Sequence, residues 1–157
     1  MHHSIYCDMD GVLVDFVKGY KELTGVDTTH YVSGTPEFWA PIDKEGPLWW
    51  ANLEWKSDGP LLWQYIKKYR PNILSSPSQS ASSREGKKMW VNSHIPRTQY
   101  RDLLLYPRHE KQLFSGKYSI LIDDLEKTIK EWNAHGGIGI LHTSAADTIK
   151  QLKKFDL

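Results

Sequence analysis

The chain has 157 residues, which is enough for a single domain with a hydrophobic core and one modest insertion. Charged residues make up 25% of it and the formal net charge is +1, so the composition indicates neither a polyanion-binding surface nor a membrane-binding one. The one cysteine, Cys7, excludes an internal disulfide framework and a thiolate zinc cluster. Together with the lack of any apolar stretch long enough for a leader or a membrane span, this predicts a cytoplasmic protein.

The first predicted unit is a strand, a turn and a helix. Residues 4–7 form a short apolar run that is typical of a buried strand. Apolar residues then follow at helical spacing from Phe16 to Leu23, and Gly25 ends the pattern. Two aspartates, Asp8 and Asp10, lie in the turn between the strand and the helix.

Residues 26–59 are predicted to form an insertion, which we call the cap. Proline and glycine recur in this segment, and they favour irregular or short helical structure. Aromatic side chains are concentrated nearby, since five of the seven tryptophans are Trp39, Trp49, Trp50, Trp55 and Trp63. The sequence favours two interpretations of them equally: the core of a small cap, or a platform on which a base stacks.

Strands and helices alternate from residue 60 onward. Pro60 suits the first turn of a helix that continues to Tyr69. Further strands are predicted at 72–76, 101–107, 117–124 and 138–142, and helices at 87–95, 125–135 and 145–152, with a polar serine-rich segment at 77–86. The pattern predicts an α/β fold with a Rossmann-like, doubly wound parallel sheet in one domain, 1–157, with a core of 1–25 and 60–157.

Polar residues lie at the carboxyl ends of three of the predicted strands, where ligands bind in such sheets. They are Asp8, Asp10, Ser75, Ser76, Asp123 and Asp124, with Lys87 predicted at the start of a helix. Clustered carboxylates repel one another unless a cation neutralises them, and all-oxygen ligands favour Mg²⁺. Because Mg²⁺ often binds a substrate phosphate as well, and hydroxyl and ammonium groups suit the other phosphate oxygens, the pattern predicts a magnesium and phosphate site.

The spacing of Asp8 and Asp10 is suited to two chemical roles. A carboxylate at a strand end can act as a nucleophile and form an acyl-phosphate. A second carboxylate two residues on can give a proton to the leaving oxygen and later take one from water.

Four segments in chain order resemble the motifs of a known superfamily. They read DMDGVLVD at 8–15, ILSSPS at 73–78, GKKMWV at 86–91 and LIDD at 121–124. In this order they resemble the haloacid dehalogenase (HAD) superfamily of phosphohydrolases, and they are most similar to the 5'(3')-deoxyribonucleotidases. The chain differs from those nucleotidases in being shorter and in having Ser75 where they have threonine.

The resemblance implies a role for each residue that matches a motif. Asp8 would be the nucleophile, and Asp10 the general acid and base. The metal, Mg²⁺, would be bound by Asp8, the backbone carbonyl of Asp10 and Asp123, while Asp124 would orient its waters. The phosphate would be held by Ser75, Ser76, the backbone near Gly11 and Lys87, with Lys88 as the alternative lysine.

The resemblance also implies a pocket for the rest of the substrate. The residues that match it are Phe16, Trp49, Trp50, Arg108 and Lys111. The implied substrate is a small phosphomonoester, a nucleoside monophosphate in particular, with deoxy forms preferred. Neither a membrane nor a stable nucleic-acid partner is expected, and a homodimer is compatible with the sequence.

Other interpretations stay open at this stage. The same core could serve a polynucleotide 3'-phosphatase or a sugar phosphatase, although the near-neutral charge argues against a long nucleic-acid substrate. A non-catalytic phospho-acceptor or a binder of single-stranded nucleic acid is a further alternative. Asp15 is predicted to be a helix cap or a support, and Asp124 to be a cap, a site residue or both.

Overall fold

A five-stranded parallel sheet organises the protein. The computed structural model describes residues 2–28 and 35–157; residues 29–34 of the predicted cap lie outside the described residues. The strands are β1 (Ser4–Cys7), β2 (Asn72–Ser75), β3 (Leu103–Leu105), β4 (Ser119–Asp123) and β5 (Ile138–Leu141). Their order is β3-β2-β1-β4-β5 and all neighbouring pairs are parallel, which confirms the predicted Rossmann-like class.

Helices connect the strands. They are α1 (Phe16–Thr24), α2 (Pro36–Glu45), α3 (Pro47–Ala51), α4 (Gly59–Ile66), α5 (Ala81–His94), α6 (Glu126–Ala134) and α7 (Ala145–Lys153). Shorter 3₁₀ helices cover Lys67–Tyr69, Arg97–Gln99 and Arg108–Phe114. None of the helices in the described ranges is long and apolar enough to cross a membrane.

The central strand β1 sets the position of the first aspartate. In the sheet Cys7 is paired with Ile73 of β2 and with Ile122 of β4. The next residue, Asp8, donates its backbone N–H to the carbonyl of Ile122 at 3.0 Å. Strands β2 and β3 lie on one side of β1, and β4 and β5 lie on the other. Asp8 therefore lies at the point where a doubly wound sheet opens a crevice for ligands.

Helix α5 begins earlier than the sequence predicts. The sequence predicts a helix only from residue 87, after the polar serine-rich segment at 77–86, with Lys87 at its start. Instead, Ser80 is the N-cap and accepts a hydrogen bond from the backbone of Ser82, so that Lys87 lies in the middle of a 14-residue helix. The prediction was wrong because serines weaken a helix interior but stabilise its first turn, where they bind free backbone N–H groups.

The cap contains two short helices, α2 and α3, among its described residues. Helix α3 packs directly on α5, where Gly86 lies against Trp50 and the Pro47 carbonyl so closely that a β-carbon would overlap both. Gly86 therefore brings α3 close to the helix that carries Lys87. The division of the chain into a core and a cap stays a prediction.

Candidate active site

Two buried aspartates lie side by side at the carboxyl edge of the sheet. Asp8 follows β1 and is 7% exposed, while Asp123 ends the neighbouring β4 and is 1% exposed. Asp123 also accepts a hydrogen bond from the backbone of Leu125, at 2.9 Å. Burial raises the pKa of Asp8 well above its usual range, and the nearby charge of Asp123 raises it further.

Lys111 binds both of these aspartates. Its ammonium lies 3.1 Å from Asp8 Oδ1 and 2.8 Å from Asp123 Oδ2, and the side chain is buried. Burial by itself lowers the pKa of Lys111, but the charges of the two carboxylates outweigh it and raise that pKa above its ordinary value. The sequence interpretation placed Lys111 only in the substrate pocket, whereas its ammonium lies between the two central carboxylates.

A second buried lysine, Lys87, binds the other aspartate of the turn. Its ammonium lies 2.7 Å from Asp10 Oδ2 and 2.8 Å from Ser75 Oγ. Lys87 is 1% exposed, while its neighbour Lys88 is exposed to solvent. Of the two lysines that the sequence left open, the structure therefore brings Lys87 to the cluster.

These two ammonium groups neutralise part of the negative charge of the clustered carboxylates. The sequence predicts a metal because four clustered carboxylates need a neutralising cation. In the structure, Lys111 and Lys87 already supply two positive charges. The two lysines balance two of the four negative charges, so repulsion favours a further cation less strongly than the sequence alone indicates, and the case for a metal depends more on the arrangement of the carboxylate oxygens.

Three carboxylates are close enough to hold one cation. Asp8, Asp123 and Asp124 each offer an oxygen within 4.8 Å of the other two, and this all-oxygen set fits Mg²⁺. Asp124 was expected only to orient metal-bound waters, but its carboxylate belongs to this group. The side chain of Asp10 is not in this group, and a contribution of its backbone carbonyl stays a prediction.

Gly11 allows Asp124 to approach the turn. Its φ of +84° is left-handed, and a β-carbon at this position would overlap the carboxylate of Asp124. Asp124 keeps contact with solvent, but its partial desolvation at this edge of the sheet, followed by the charge of Asp123, raises its pKa to about 6. The resemblance implies a phosphate contact from the backbone near Gly11, and the structure adds this close contact with Asp124.

The two serines after β2 differ in their contacts. Ser75 Oγ accepts a hydrogen bond from Lys87, whereas Ser76 Oγ is buried and has no hydrogen-bond partner among the described residues. A buried hydroxyl without a partner is costly, typically by about 1–3 kcal/mol, so such groups are often found where a ligand binds. Ser76 is therefore available to an oxygen of a bound phosphate.

An aromatic cluster from α1, α2 and α3 lies beside Lys87. Its rings belong to Phe16, Tyr20, Phe38, Trp39, Trp49 and Trp50. Phe16 lies 5.7 Å from Trp50 between ring centroids, and the Lys87 ammonium lies 5.0 Å from the Trp50 centroid. The tryptophans thus pack together within the cap, and Trp50 also borders the polar cluster.

Two other sequence candidates have contacts outside the cluster. Arg108 forms an ion pair with Glu131 of α6 at 2.8 Å, so its role with substrate stays a prediction without a supporting contact. Asp15 is the N-cap of α1 and accepts a hydrogen bond from the backbone of Lys18. Asp124 does not cap α6, because Leu125 occupies that position.

Comparisons with solved structures identify the fold of the protein. No protein-family model matches the chain. A HAD-superfamily hydrolase from Ehrlichia chaffeensis aligns over 100% of both chains with a TM-score of 0.58 and 11% identity. A HAD-family enzyme from Bacteroides thetaiotaomicron, in complex with magnesium and inorganic phosphate, aligns over 92% of this chain and 96% of its own with a TM-score of 0.53 and 19% identity. The protein has the fold of the HAD-superfamily hydrolases, in agreement with the resemblance of the four motifs to that superfamily.

A curated relative has a higher sequence identity to this chain than these two solved structures have. It is a protein of Vibrio phage KVP40 named "Putative 5'(3')-deoxyribonucleotidase", and it is 30% identical over 125 residues. The match covers 78% of this chain and 66% of the relative, so the chain spans about two thirds of the relative's length.

We expect Mg²⁺ to stabilise the protein more at about pH 7.5 than at about pH 5. The pKa of Asp124 is raised to about 6 in the folded protein, so protonation of Asp124 stabilises the metal-free protein. This contribution is complete below the pKa that Asp124 has in the unfolded chain, and it is lost as the pH rises through about 6. Mg²⁺ binds the deprotonated carboxylates, so it competes with protons only at the lower pH. Thermal melting at both pH values measures the effect, which should be about 2.7 kcal/mol at a hundredfold excess over Kd at the higher pH.

The matched variant for this measurement is Asp124→Asn. It removes the titrating group, so the difference between the two pH values should become smaller. Equal Mg²⁺ stabilisation at both pH values in the unchanged protein would contradict the assignment of these carboxylates to a metal.

Proposed function

We propose that this protein is a Mg²⁺-dependent phosphomonoester hydrolase that acts on nucleoside 5'-monophosphates, deoxy forms preferred, through an aspartyl-phosphate. The observation that carries the proposal is the setting of Asp8, a buried carboxylate at the end of the central strand, bound by Lys111 at 3.1 Å. The buried, unpartnered hydroxyl of Ser76 supports a phosphate at the same edge of the sheet.

In the first step, Asp8 attacks the phosphorus atom. A bond forms between its carboxylate oxygen and phosphorus, the ester bond breaks, and the leaving oxygen takes the electron pair and a proton from Asp10. Lys111 and the hydroxyl of Ser76 stabilise the negative charge of the phosphoryl oxygens. Mg²⁺ bound by Asp8, Asp123 and Asp124 would neutralise further charge on the carboxylates and the phosphate.

In the second step, water releases the phosphate from Asp8. Asp10, now a carboxylate, takes a proton from the water as its oxygen attacks phosphorus. The bond to Asp8 breaks and the free carboxylate is restored. Asp10 follows Asp8 by two residues in a tight turn, so one side chain can serve both proton transfers.

The substrate class is inferred from the aromatic cluster. A nucleobase gains about 1–3 kcal/mol from stacking on an aromatic ring, and the rings of Phe16 and Trp49 are partly exposed. Trp50, which lies beside Lys87, is only 3% exposed and packs against both of them. The name of the phage relative supports the same class. Phe16 and Trp49, which contact each other within the cluster, are the other proposed pocket residues.

A phosphate-release screen with Mg²⁺ tests this proposal. The substrates are deoxyribonucleoside and ribonucleoside 5'-monophosphates, their 3' isomers, sugar phosphates and a 3'-phosphorylated oligonucleotide. We expect the fastest turnover with a deoxyribonucleoside monophosphate, loss of turnover with EDTA and its return with added Mg²⁺. Faster turnover of the sugar phosphates or the oligonucleotide would overturn the substrate class, and no turnover of any ester would overturn the reaction.

A further inference from the structure

The two buried lysines of the site have different partners. Lys111 binds Asp8 and Asp123, which are the nucleophile and metal-binding residues of the proposed function. Lys87 binds Asp10 and Ser75. From this separation we infer that Lys87 is a positioning residue that orients Asp10 for proton transfer, rather than a phosphate-binding residue as the motif resemblance implies; the inference rests on the proposed function.

The contacts of Lys87 use its donors within the protein. An ammonium has three N–H donors, and here two oxygen acceptors lie at 2.7 and 2.8 Å, while the ring of Trp50 lies 5.0 Å from the nitrogen. The side chain is 1% exposed, and it leaves the middle of α5. A lysine held on three sides in this way is rigid, which suits the orientation of a neighbouring group.

The hydrogen bond of Lys87 distinguishes the two oxygens of Asp10. Lys87 binds Oδ2, so Oδ1 is the atom that carries the proton to the leaving oxygen and later takes one from water. Asp10 is only partly buried, and its carboxylate could rotate without this contact. Lys87 therefore acts through Asp10, and its loss should matter most where the leaving group needs a proton.

The test compares leaving groups in the first turnover of Lys87→Met. The two substrates are a nucleoside 5'-monophosphate and p-nitrophenyl phosphate. The nucleoside leaves as a basic alkoxide and needs the proton of Asp10, whereas p-nitrophenolate leaves without a proton. In rapid-quench measurements we expect the first release of nucleoside to slow about a hundredfold, and the first release of p-nitrophenolate to change less than about threefold. Steady-state turnover of both substrates should fall, because Asp10 also activates the water.

Three variants complete this experiment. Lys111→Met should slow the first turnover of both substrates equally, because it acts on the nucleophile and the phosphoryl group. Lys87→Gln keeps an N–H donor toward Asp10, so it should recover part of the rate of nucleoside release. It also serves as the test variant if Lys87→Met does not melt cooperatively. Asn92→Met, at an exposed position on the same helix, should change neither rate.

Equal slowing of the two substrates by Lys87→Met would overturn the inference and restore a phosphate-binding role. Unchanged rates for both substrates would overturn it as well. Failure of the proposed function looks different, since the unchanged protein would then release no phosphate from either ester.

Discussion

Replacement of Asp8 by asparagine is expected to lower phosphate release by at least about a thousandfold, because an amide cannot replace the attacking carboxylate of a covalent mechanism. The fold should remain, since asparagine has nearly the same shape and Lys111 keeps its ion pair with Asp123. The measurement is turnover of a nucleoside monophosphate, together with acid quenching to detect phosphate retained on the protein. The unchanged protein should retain phosphate, and Asp8→Asn should not.

The control for this prediction is Asp15→Asn. It makes the same chemical change seven positions along the chain, at the N-cap of α1, where asparagine and aspartate are equally good caps. Both activity and stability should therefore stay close to those of the unchanged protein. Full activity of Asp8→Asn, or phosphate retained on that variant, would rule out Asp8 as the nucleophile.

Lys111→Met is expected to have the largest effect on stability. It leaves the carboxylates of Asp8 and Asp123 buried without their shared cation, and breaking a buried pair in this way costs about 3–5 kcal/mol. Urea unfolding of the metal-free protein at neutral pH measures the loss of free energy of unfolding. Added Mg²⁺ should restore part of it, because the cation neutralises the same carboxylates.

Activity should fall as well in Lys111→Met. Loss of one group that stabilises the phosphoryl oxygens typically costs about a hundredfold or more in kcat. The matched control is Lys130→Met, which removes an exposed lysine paired with Glu126 and should change stability by about 0.5 kcal/mol or less. If Lys111→Met were as stable and active as this control, the central ion pairs would have no role in the protein.

The fold followed from local patterns in the sequence. Apolar runs such as 119–123 indicate strands buried on both faces, and all five predicted strands are present. The first has the predicted bounds and the other four are shorter than predicted. Local patterns do not determine the residue at which a strand ends, because backbone pairing in the sheet sets that position. The start of α5 was missed because serine favours both loops and helix N-termini. In the structure the serines form a helix N-terminus, in which Ser80 accepts from the backbone of Ser82 and Ser83 accepts from the backbone of Ser78.

The candidate site could be predicted where a residue belongs to a strand end. Asp8 and Asp123 are such residues, and the parallel register of β1 and β4 brings them together. Lys111 is different, because it lies in a polar 3₁₀ helix with no periodicity that indicates burial. A lysine is usually exposed, so nothing local distinguishes Lys111 from the neighbouring basic residue Arg108.

The sequence by itself determined the α/β class, the order of the four motifs and the set of carboxylates at the strand ends, because these depend on local periodicity and on residue type. The tertiary structure decided how charge is distributed among them. It placed Lys111 between Asp8 and Asp123 and joined Lys87 to Asp10. These pairings depend on distances between segments far apart in the chain, and such distances are set by the packing of helices on the sheet rather than by any local pattern.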